Sequence, residues 1–313
     1  MQDERPYPNL WQSVLLLIVL LVFQLGFSII YGIIMLVTTM IRDPSLRLEE
    51  PAIAGEPIGM GLTLLAAYTL IVLWGWLRAG KPFGRTFPLS AFPYAVLLPL
   101  FLVIVGYNII CSEVDNLTRW LVPMPRFLYE LFGSLAAGAL ASLFLISLVA
   151  PVVEELVFRG LILGGLLAYY KPWKAILVSA VLFTLFHLNP YQFVAAFGLG
   201  LLFGWVFWKT RSLWPCMILH AIFNGWGWLV NGVLQLDIPG YTKSAQDMAN
   251  QVAVESQPVW FNLLGCFLVA VGLLLAFQML RARPEAPLAA PCDGVVLLDE
   301  EDERKSPCNT SAV

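Results

Sequence analysis

Two adjacent carboxylates, Glu154 and Glu155, lie inside an otherwise hydrophobic stretch of this chain, and Arg159 follows Glu155 by four residues. A charged side chain at the centre of a bilayer costs roughly 2.5–3.5 kcal/mol on insertion scales. Ionisable groups in such segments usually face a protein interior or a water-filled cavity, where they serve a function. The three residues therefore predict a functional site inside a membrane.

Helical spacing separates the expected roles of the two carboxylates. Residues four apart share a helix face, and Glu155 precedes Arg159 in the order that favours an ion pair. Glu154 is rotated by about 100° from Glu155 around the helix axis. We therefore expect Glu155 to neutralise Arg159 as a structural pair, and Glu154 to face a cavity.

The two histidines of the chain, His187 and His220, also lie in apolar segments. Phe183 precedes His187 by four residues and Asn224 follows His220 by four, so each histidine shares a helix face with that partner. At 1.5 Å per residue, both histidines lie roughly 14–20 Å from the nearest basic end of their helices. A single buried histidine is most often a core residue. Here both histidines lie at a depth that Glu154 can also reach, which favours one shared polar site. Phe183 is most simply a packing residue that holds the His187 ring.

The elements that must position these side chains are membrane-spanning helices. The chain has 313 residues, of which 59% are hydrophobic and 12% are charged, whereas soluble domains are about 25% charged. Apolar runs near the length of about 20 residues that crosses a bilayer recur along the chain. We predict an all-α polytopic membrane bundle of about eight transmembrane helices, at 10–40, 58–78, 91–111, 130–167, 172–188, 191–208, 212–231 and 259–280.

Charge and cysteine content narrow the partners and the compartment. A net charge of −3 indicates no nucleic-acid partner, and five cysteines without paired spacing predict neither a disulfide framework nor a cysteine metal site. With both termini in the cytoplasm, lysine and arginine favour the cytoplasmic loops by roughly two to one, as the positive-inside rule requires. We therefore predict a multi-pass membrane protein with two cytoplasmic termini, most consistent with a bacterial inner membrane.

Three motifs combine the polar residues, and they span six, five and five positions: Glu154-Glu155-x-x-x-Arg159, Phe183-x-x-x-His187 and His220-x-x-x-Asn224. In this order, on successive spans with one further span between the last two motifs, the triple resembles the CPBP family, which joins CAAX prenyl endopeptidases with bacteriocin-processing and self-immunity proteins and is also called the Abi family. The resemblance covers about 130–231 and is specific only as a triple. It divides the chain into N-terminal helices (1–129), a CPBP-like catalytic core (130–231), an outer loop with the last helix (232–283) and a disordered cytoplasmic tail (284–313).

The resemblance implies a membrane-embedded helical protease. In such an enzyme Glu154 would be the general base that activates the attacking water, and His187 would help to hold that water. His220 and Asn224 would stabilise the oxyanion of the tetrahedral intermediate, while the ion pair described above fixes the helix. No serine lies in the three motifs, so a serine mechanism is less attractive.

A metal ion is an open alternative. Glu154, His187 and His220 would form a His₂Glu set of the kind that binds catalytic zinc with an open fourth position, and the family is often labelled a metalloprotease. The chain has no His-Glu-x-x-His helix, and a glutamate base needs no ion. We therefore favour a mechanism without a cofactor and keep zinc as the alternative.

The expected function is an endopeptidase that cleaves membrane-anchored or lipidated proteins or peptides within the bilayer, in a cavity open to the cytoplasm. A second hypothesis is a non-catalytic self-immunity or scaffold protein of the same fold. A third is a transporter or proton relay, since intramembrane glutamate and histidine also serve there, although no inverted repeat supports it.

Overall fold

The computed structural model describes residues 6–42, 57–125, 128, 140–242 and 254–281. These ranges are helical, with a single isolated β-bridge between Leu89 and Ser212 and no β-strand within the described part of the chain. The helices are α1 (Leu10–Arg42), α2 (Pro57–Ala79), α3 (Phe83–Thr86), α4 (Leu97–Leu121), α5 (140–166), α6 (Pro172–Phe186), α7 (Phe193–Thr210), α8 (Trp214–Trp228) and α9 (Val259–Arg281). The predicted all-α membrane fold is confirmed.

Five helices are long and apolar enough to cross a bilayer, within the described ranges: Leu10–Arg42, Gly59–Ala79, Tyr94–Leu121, Pro190–Thr210 and Val259–Arg281. They coincide with five of the predicted spans. Helices α6 and α8 have 15 residues each, fewer than the about 20 that span the hydrocarbon alone. The number of eight spans stays a prediction, because 130–139 lies outside the described residues. The predicted tail, 284–313, and residues 243–253 of the predicted outer loop also lie outside the described residues.

Helix α5 carries the two carboxylates and departs from regular α geometry on both sides of them. Its segment Ala150–Glu155 is α-helical, but it is preceded by a π-helical segment, Leu145–Val149, and followed by another, Leu156–Leu163. Pro151 stands at the start of the α segment and has no N–H to donate to the preceding turn. Single π turns inside helices occur frequently at functional sites.

Small residues set the closest helix contacts. A Cβ added to Gly106 of α4 would lie 2.5 Å from the carbonyl oxygen of Gly265 in α9, and one added to Gly200 of α7 would lie 2.8 Å from the Cα of Ala180 in α6. Lipid supplies little hydrophobic drive between helices, so van der Waals packing at small residues holds them together. The second contact matters for the site, because α6 carries His187 at its end.

The two ends of the bundle differ in charge. Basic residues close the last turns of α2, α7 and α9, namely Arg78, Lys209 and Arg281. The backbone N–H of Leu213, which precedes α8, donates to the carbonyl of Pro88, which precedes α4, so these helices begin where α2 and α7 end. We call this the basic end. The opposite end contains the last turns of α1, α4 and α8. Arg42 and Arg119 lie there, and Arg119 pairs with Asp115. Among the described residues, basic side chains are therefore fewer at this end and are accompanied by carboxylates.

We predict that Gly106→Ala destabilises the protein by about 1–3 kcal/mol, because the added methyl group overpacks the α4–α9 contact. Gly26→Ala is the matched control, since nothing lies within 4 Å of a Cβ at Gly26 and alanine favours a helix over glycine. Thermal unfolding of the detergent-solubilised variants should show a lower midpoint for Gly106→Ala alone. Equal midpoints would contradict the close-packing interpretation.

Candidate active site

A buried ion pair lies at the centre of the bundle and includes a histidine. Glu155 and Arg159 are 0% and 1% exposed, and Arg159 Nη1 donates to Glu155 Oε1 at 2.8 Å. The same oxygen lies 2.8 Å from Nδ1 of His220, which is 65 residues further along the chain. Arg159 Nη2 also donates to the carbonyl of Leu199 at 3.3 Å. Glu155 therefore neutralises Arg159, as predicted, and also orients the His220 ring, which helical spacing does not predict.

Phe183 forms a platform under this network. Its ring is 1% exposed and meets the rings of His187 and His220 edge to face, at centroid distances of 4.8 and 6.0 Å. The Arg159 guanidinium carbon lies 4.6 Å from the Phe183 centroid, within the range of a cation–π interaction. The predicted packing against His187 is present, and the same ring also supports the arginine and the second histidine.

Glu154 stays outside the ion pair. Its side chain is 15% exposed, and Oε2 lies 3.8 Å from Nε2 of His220. That separation is too long for a direct hydrogen bond but suits one water molecule that contacts both atoms. With Nδ1 of His220 bound to Glu155, Nε2 is the ring nitrogen that faces Glu154 and the cavity. Two adjacent carboxylates thus have different surroundings, as the rotation between them predicts.

His187 lies one residue beyond the end of α6, as its C-cap. Its Nδ1 is 2.8 Å from the carbonyl oxygen of Phe183. Because a carbonyl can only accept, Nδ1 carries the proton and the Nε2 atom of the neutral ring is an acceptor. A partly exposed imidazole with a fixed acceptor can hold a water molecule.

Asn224 is fixed by the irregular helix that carries the carboxylates. Its Nδ2 donates to the carbonyl of Ile146 at 3.0 Å, within the π-helical segment Leu145–Val149. An amide nitrogen carries two protons, so one N–H of Asn224 remains for another acceptor. The π turn in α5 thereby sets the direction of a side chain on α8.

One cavity of about 730 Å³ collects these groups. Glu154, His187, His220 and Asn224 all line it, together with Phe183. The structure brings the predicted polar residues of three separate helices to one space, while their chemical roles stay predictions. Glu155 and Arg159 do not line this cavity and lie behind it.

The cavity extends away from the basic end. Its lining reaches Met60 near the start of α2, Arg119 near the end of α4, Gln192 before α7 and Gly227 near the end of α8. All four positions lie at the end of the bundle opposite the last turns of α2 and α7. If the basic end lies in the cytoplasm, this cavity extends toward the opposite face of the membrane. The two expectations from the sequence, a cytoplasmic basic end and a cavity open to the cytoplasm, therefore do not hold together.

Polar residues of the first three long helices also line the cavity, and sequence reasoning did not assign them to it. Gln24 of α1 donates to Thr63 of α2 across 3.4 Å, and Asn108 of α4 donates to the carbonyl of Ile104 at 3.2 Å. All three side chains border the cavity. The available signal was a polar residue inside an apolar span, but nothing in the sequence relates such a residue to a distant motif: Gln24, for example, lies 130 positions before Glu154.

The fit of a metal ion can be judged from the donor atoms. A His₂Glu site needs Glu154, His187 and His220 to direct one donor each to a common point. Within the described part of the chain, no three His, Cys, Asp or Glu side chains are grouped as a metal site. The side chains as placed do not fit the zinc alternative, and we derive no step through a metal.

Comparison with known proteins supports the resemblance. Residues 136–226 match the family described as type II CAAX prenyl endopeptidase Rce1-like. This range contains all three motifs, so the resemblance inferred from them is confirmed for this part of the chain. No solved structure matches the chain significantly.

Two curated relatives are similar to parts of the chain. The membrane-embedded CAAX protease MroQ of Staphylococcus aureus (strain USA300) is 33% identical over 115 residues, which cover 34% of this chain and 44% of the relative. A protein of Bacillus subtilis (strain 168) named as a membrane peptidase, YdiL, is 28% identical over 78 residues, which cover 25% of this chain and 32% of the relative. The chain therefore matches less than half the length of either relative.

We predict that Glu155→Gln destabilises the protein by about 3–5 kcal/mol, because it leaves the Arg159 guanidinium buried without its counter-charge. Glu154→Gln is the matched control, since it removes the neighbouring carboxylate without touching the buried pair. Thermal unfolding in the same detergent should show a large loss for Glu155→Gln and little change for Glu154→Gln. A similar loss for both variants would contradict the division between the two carboxylates.

Proposed function

We propose that this chain is a membrane-embedded endopeptidase in which Glu154 activates a water molecule for attack on a peptide bond. One observation carries the proposal: the Glu154 carboxylate stands 3.8 Å from the His220 ring in a cavity that His187 and Asn224 also line. The match of residues 136–226 to the prenyl endopeptidase family adds independent support.

The first step is attack by water. Glu154 accepts one proton from a water molecule in the cavity, and Nε2 of His187 accepts a hydrogen bond that orients the same water. The water oxygen forms a bond to the carbonyl carbon of the substrate, and the carbonyl π electrons move to its oxygen, giving a tetrahedral oxyanion. A positioned general base contributes roughly 100- to 10,000-fold to such a reaction.

The oxyanion needs donors that are already in place. The free N–H of Asn224 is one donor, and Nε2–H of His220 is the other. Because Nδ1–H of His220 donates to Glu155, donation from Nε2 requires the imidazolium form. The oxyanion itself offsets that charge, since Glu155 already neutralises Arg159. Glu154 then gives its proton to the leaving nitrogen, the C–N bond breaks, and the products are a carboxylate and an amine.

The proposed substrates are membrane-associated or lipidated proteins or peptides. The cavity lies between helices, and apolar residues such as Leu145, Ala195 and Phe223 line it together with the polar groups. With the basic end in the cytoplasm, as the positive-inside rule predicts, the cavity extends toward the outer half of the bilayer. Substrate segments would then reach Glu154 from the membrane or its outer face.

We predict that Glu154→Gln abolishes cleavage while the protein remains folded. Cells that express the wild-type protein should contain new N-termini in their membrane proteome, and these should be absent with Glu154→Gln at equal abundance. Asp237→Asn is the control, because Asp237 is an exposed carboxylate that does not line the cavity. If the new N-termini that the wild-type protein produces also appear with Glu154→Gln, the proposal is wrong and the non-catalytic scaffold is favoured.

We predict that Asn224→Ala lowers kcat by roughly 100- to 1,000-fold, the usual effect of removing one oxyanion donor. KM should change little, because this interaction forms in the transition state. Asn231→Ala is the matched control, since its amide donates to Gly227 on the exposed side of the same helix end. Steady-state kinetics on a peptide from the proteomic comparison would measure both variants, and equal kcat values would contradict the role of Asn224.

A further inference from the structure

Two small residues meet where α8 packs against the irregular helix α5. A Cβ added to Gly225 of α8 would lie 3.1 Å from Oγ of Ser147 and 3.4 Å from its Cβ. Gly225 directly follows Asn224 in the chain. Ser147 directly follows Ile146, whose carbonyl accepts the hydrogen bond from Asn224 at 3.0 Å. The close contact and the hydrogen bond are therefore neighbours on the same two segments.

The contact leaves no room for a side chain at position 225. An alanine there would require its neighbours to move by a few tenths of an ångström. The Ser147 hydroxyl oxygen is buried, so it has little space to turn away. Because helices inside a bundle are close-packed, an added methyl group would push α8 and α5 apart.

The Ser147 hydroxyl does not hold this contact by hydrogen bonding. Its oxygen has no hydrogen-bond partner among the residues that the structure describes, and a buried polar group without a partner is unfavourable. Small residues let the backbones of membrane helices approach closely. The size of Ser147, rather than its polarity, is therefore what allows α8 to come near α5.

We propose that Gly225, through its contact with Ser147, positions the Asn224 amide in the cavity. Because position 225 has no side chain, α8 lies close enough to the π-helical segment Leu145–Val149 for Asn224 Nδ2 to reach the Ile146 carbonyl. That bond leaves the second N–H of the amide for the cavity that Asn224 lines. Gly225 acts through Asn224 and touches no substrate atom. Its positioning role rests on the proposed function, in which Asn224 donates to the oxyanion.

A small displacement of this amide has a measurable effect on the proposed reaction. A catalytic group that is misplaced by about 1 Å can lower the rate by about 100-fold. A shift of a few tenths of an ångström at Gly225 should therefore lower kcat by about 10-fold. KM should stay unchanged, because the donor acts in the transition state.

The first test observes the Asn224 amide directly and needs no enzymatic activity. The full-length protein, labelled with ¹⁵N-asparagine and purified in detergent, gives side-chain amide signals by NMR, and Asn224→Ala identifies the signal of Asn224. Gly225→Ala should shift this signal, because the hydrogen bond to Ile146 lengthens. Adding Ser147→Ala should return it, since the remaining Cβ of residue 147 lies at an ordinary contact distance of 3.4 Å. An unchanged signal in Gly225→Ala, or no return in the double variant, would overturn the proposal.

Two further variants keep this test independent of the folding of Gly225→Ala. Ser147→Val enlarges the same contact from the α5 side and should also shift the Asn224 signal. Ser147→Ala alone removes a buried hydroxyl without a partner, so it should leave the signal in place and the unfolding midpoint at least as high as that of the wild type. A shift with Ser147→Ala alone would show that the hydroxyl, and not the size of the residue, places the amide.

The second test is steady-state kinetics on a peptide that the wild-type protein cleaves. Gly225→Ala should lower kcat by about 10-fold at unchanged KM, and the added Ser147→Ala should restore it. Gly232→Ala is the matched control: it lies in the π-helical segment that follows α8, and the nearest atom to its Cβ is 3.6 Å away in Trp228. Both parameters should equal those of the wild type in this control.

The outcomes separate the positioning role from the proposed function. Full kcat in Asn224→Ala would contradict the role of Asn224 as an oxyanion donor. A large loss in Asn224→Ala with wild-type kcat in Gly225→Ala would overturn the positioning role of Gly225 alone. A lower unfolding midpoint in Gly225→Ala without a shift of the Asn224 signal would reduce the contact to a structural one.

Discussion

The whole polar centre depends on one oxygen atom. Glu155 Oε1 accepts hydrogen bonds from Arg159 and from Nδ1 of His220, and all three side chains are at most 3% exposed. Charges removed from water this completely are tolerated only when they are paired and hydrogen-bonded. The pair does not supply the proposed chemistry, but it determines which nitrogen of His220 faces the cavity, and the ring of Phe183 supports it from one side.

Adjacent positions in the sequence therefore have opposite tasks. Glu155 is enclosed by protein, whereas Glu154 faces a cavity large enough for water and part of a peptide. The α-helical segment Ala150–Glu155 between two π-helical segments permits this. The wider turn before it offers the Ile146 carbonyl to Asn224, and the wider turn after it carries Arg159. The irregular geometry of this helix is thus linked to the placement of these polar side chains.

Local periodicity predicted what lies within one or two helical turns. The Glu155–Arg159 pair, the Phe183–His187 contact and the separate direction of Glu154 follow from residues that are one to four positions apart. The helical membrane class follows from hydropathy. The contact between Glu155 and His220 joins residues 65 positions apart, so it depends on how α5 and α8 pack and no local pattern reports it. Asn224 donates to a carbonyl in a π turn. A sequence analysis that assumes 3.6 residues per helical turn cannot predict such a turn.

The direction of the cavity was also beyond the sequence, because hydropathy gives the depth of a residue but not the side from which water reaches it. Depth placed His187 and His220 near the middle of the bilayer. Residues near the starts of α2 and α7 and the ends of α4 and α8 line the cavity, and only the assembled helices show which half of the bundle contains it. The packing of the helices likewise shows that Gln24 and Thr63 line the cavity, which the sequence does not.

The cavity has two walls of different origin. Helices α5 to α8, nearly all within the range that matches the prenyl endopeptidase family, provide Glu154, His187, His220 and Asn224, whereas α1, α2 and α4 provide residues such as Gln24, Thr63 and Asn108 from outside that range. Substitutions at Gln24, Met60 or Thr63 would alter the shape of the space while leaving Glu154, His187, His220 and Asn224 unchanged. In the proposed endopeptidase, selectivity can therefore diversify independently of reactivity, and a library confined to α1 and α2 would be the starting point for redirecting it to new peptides.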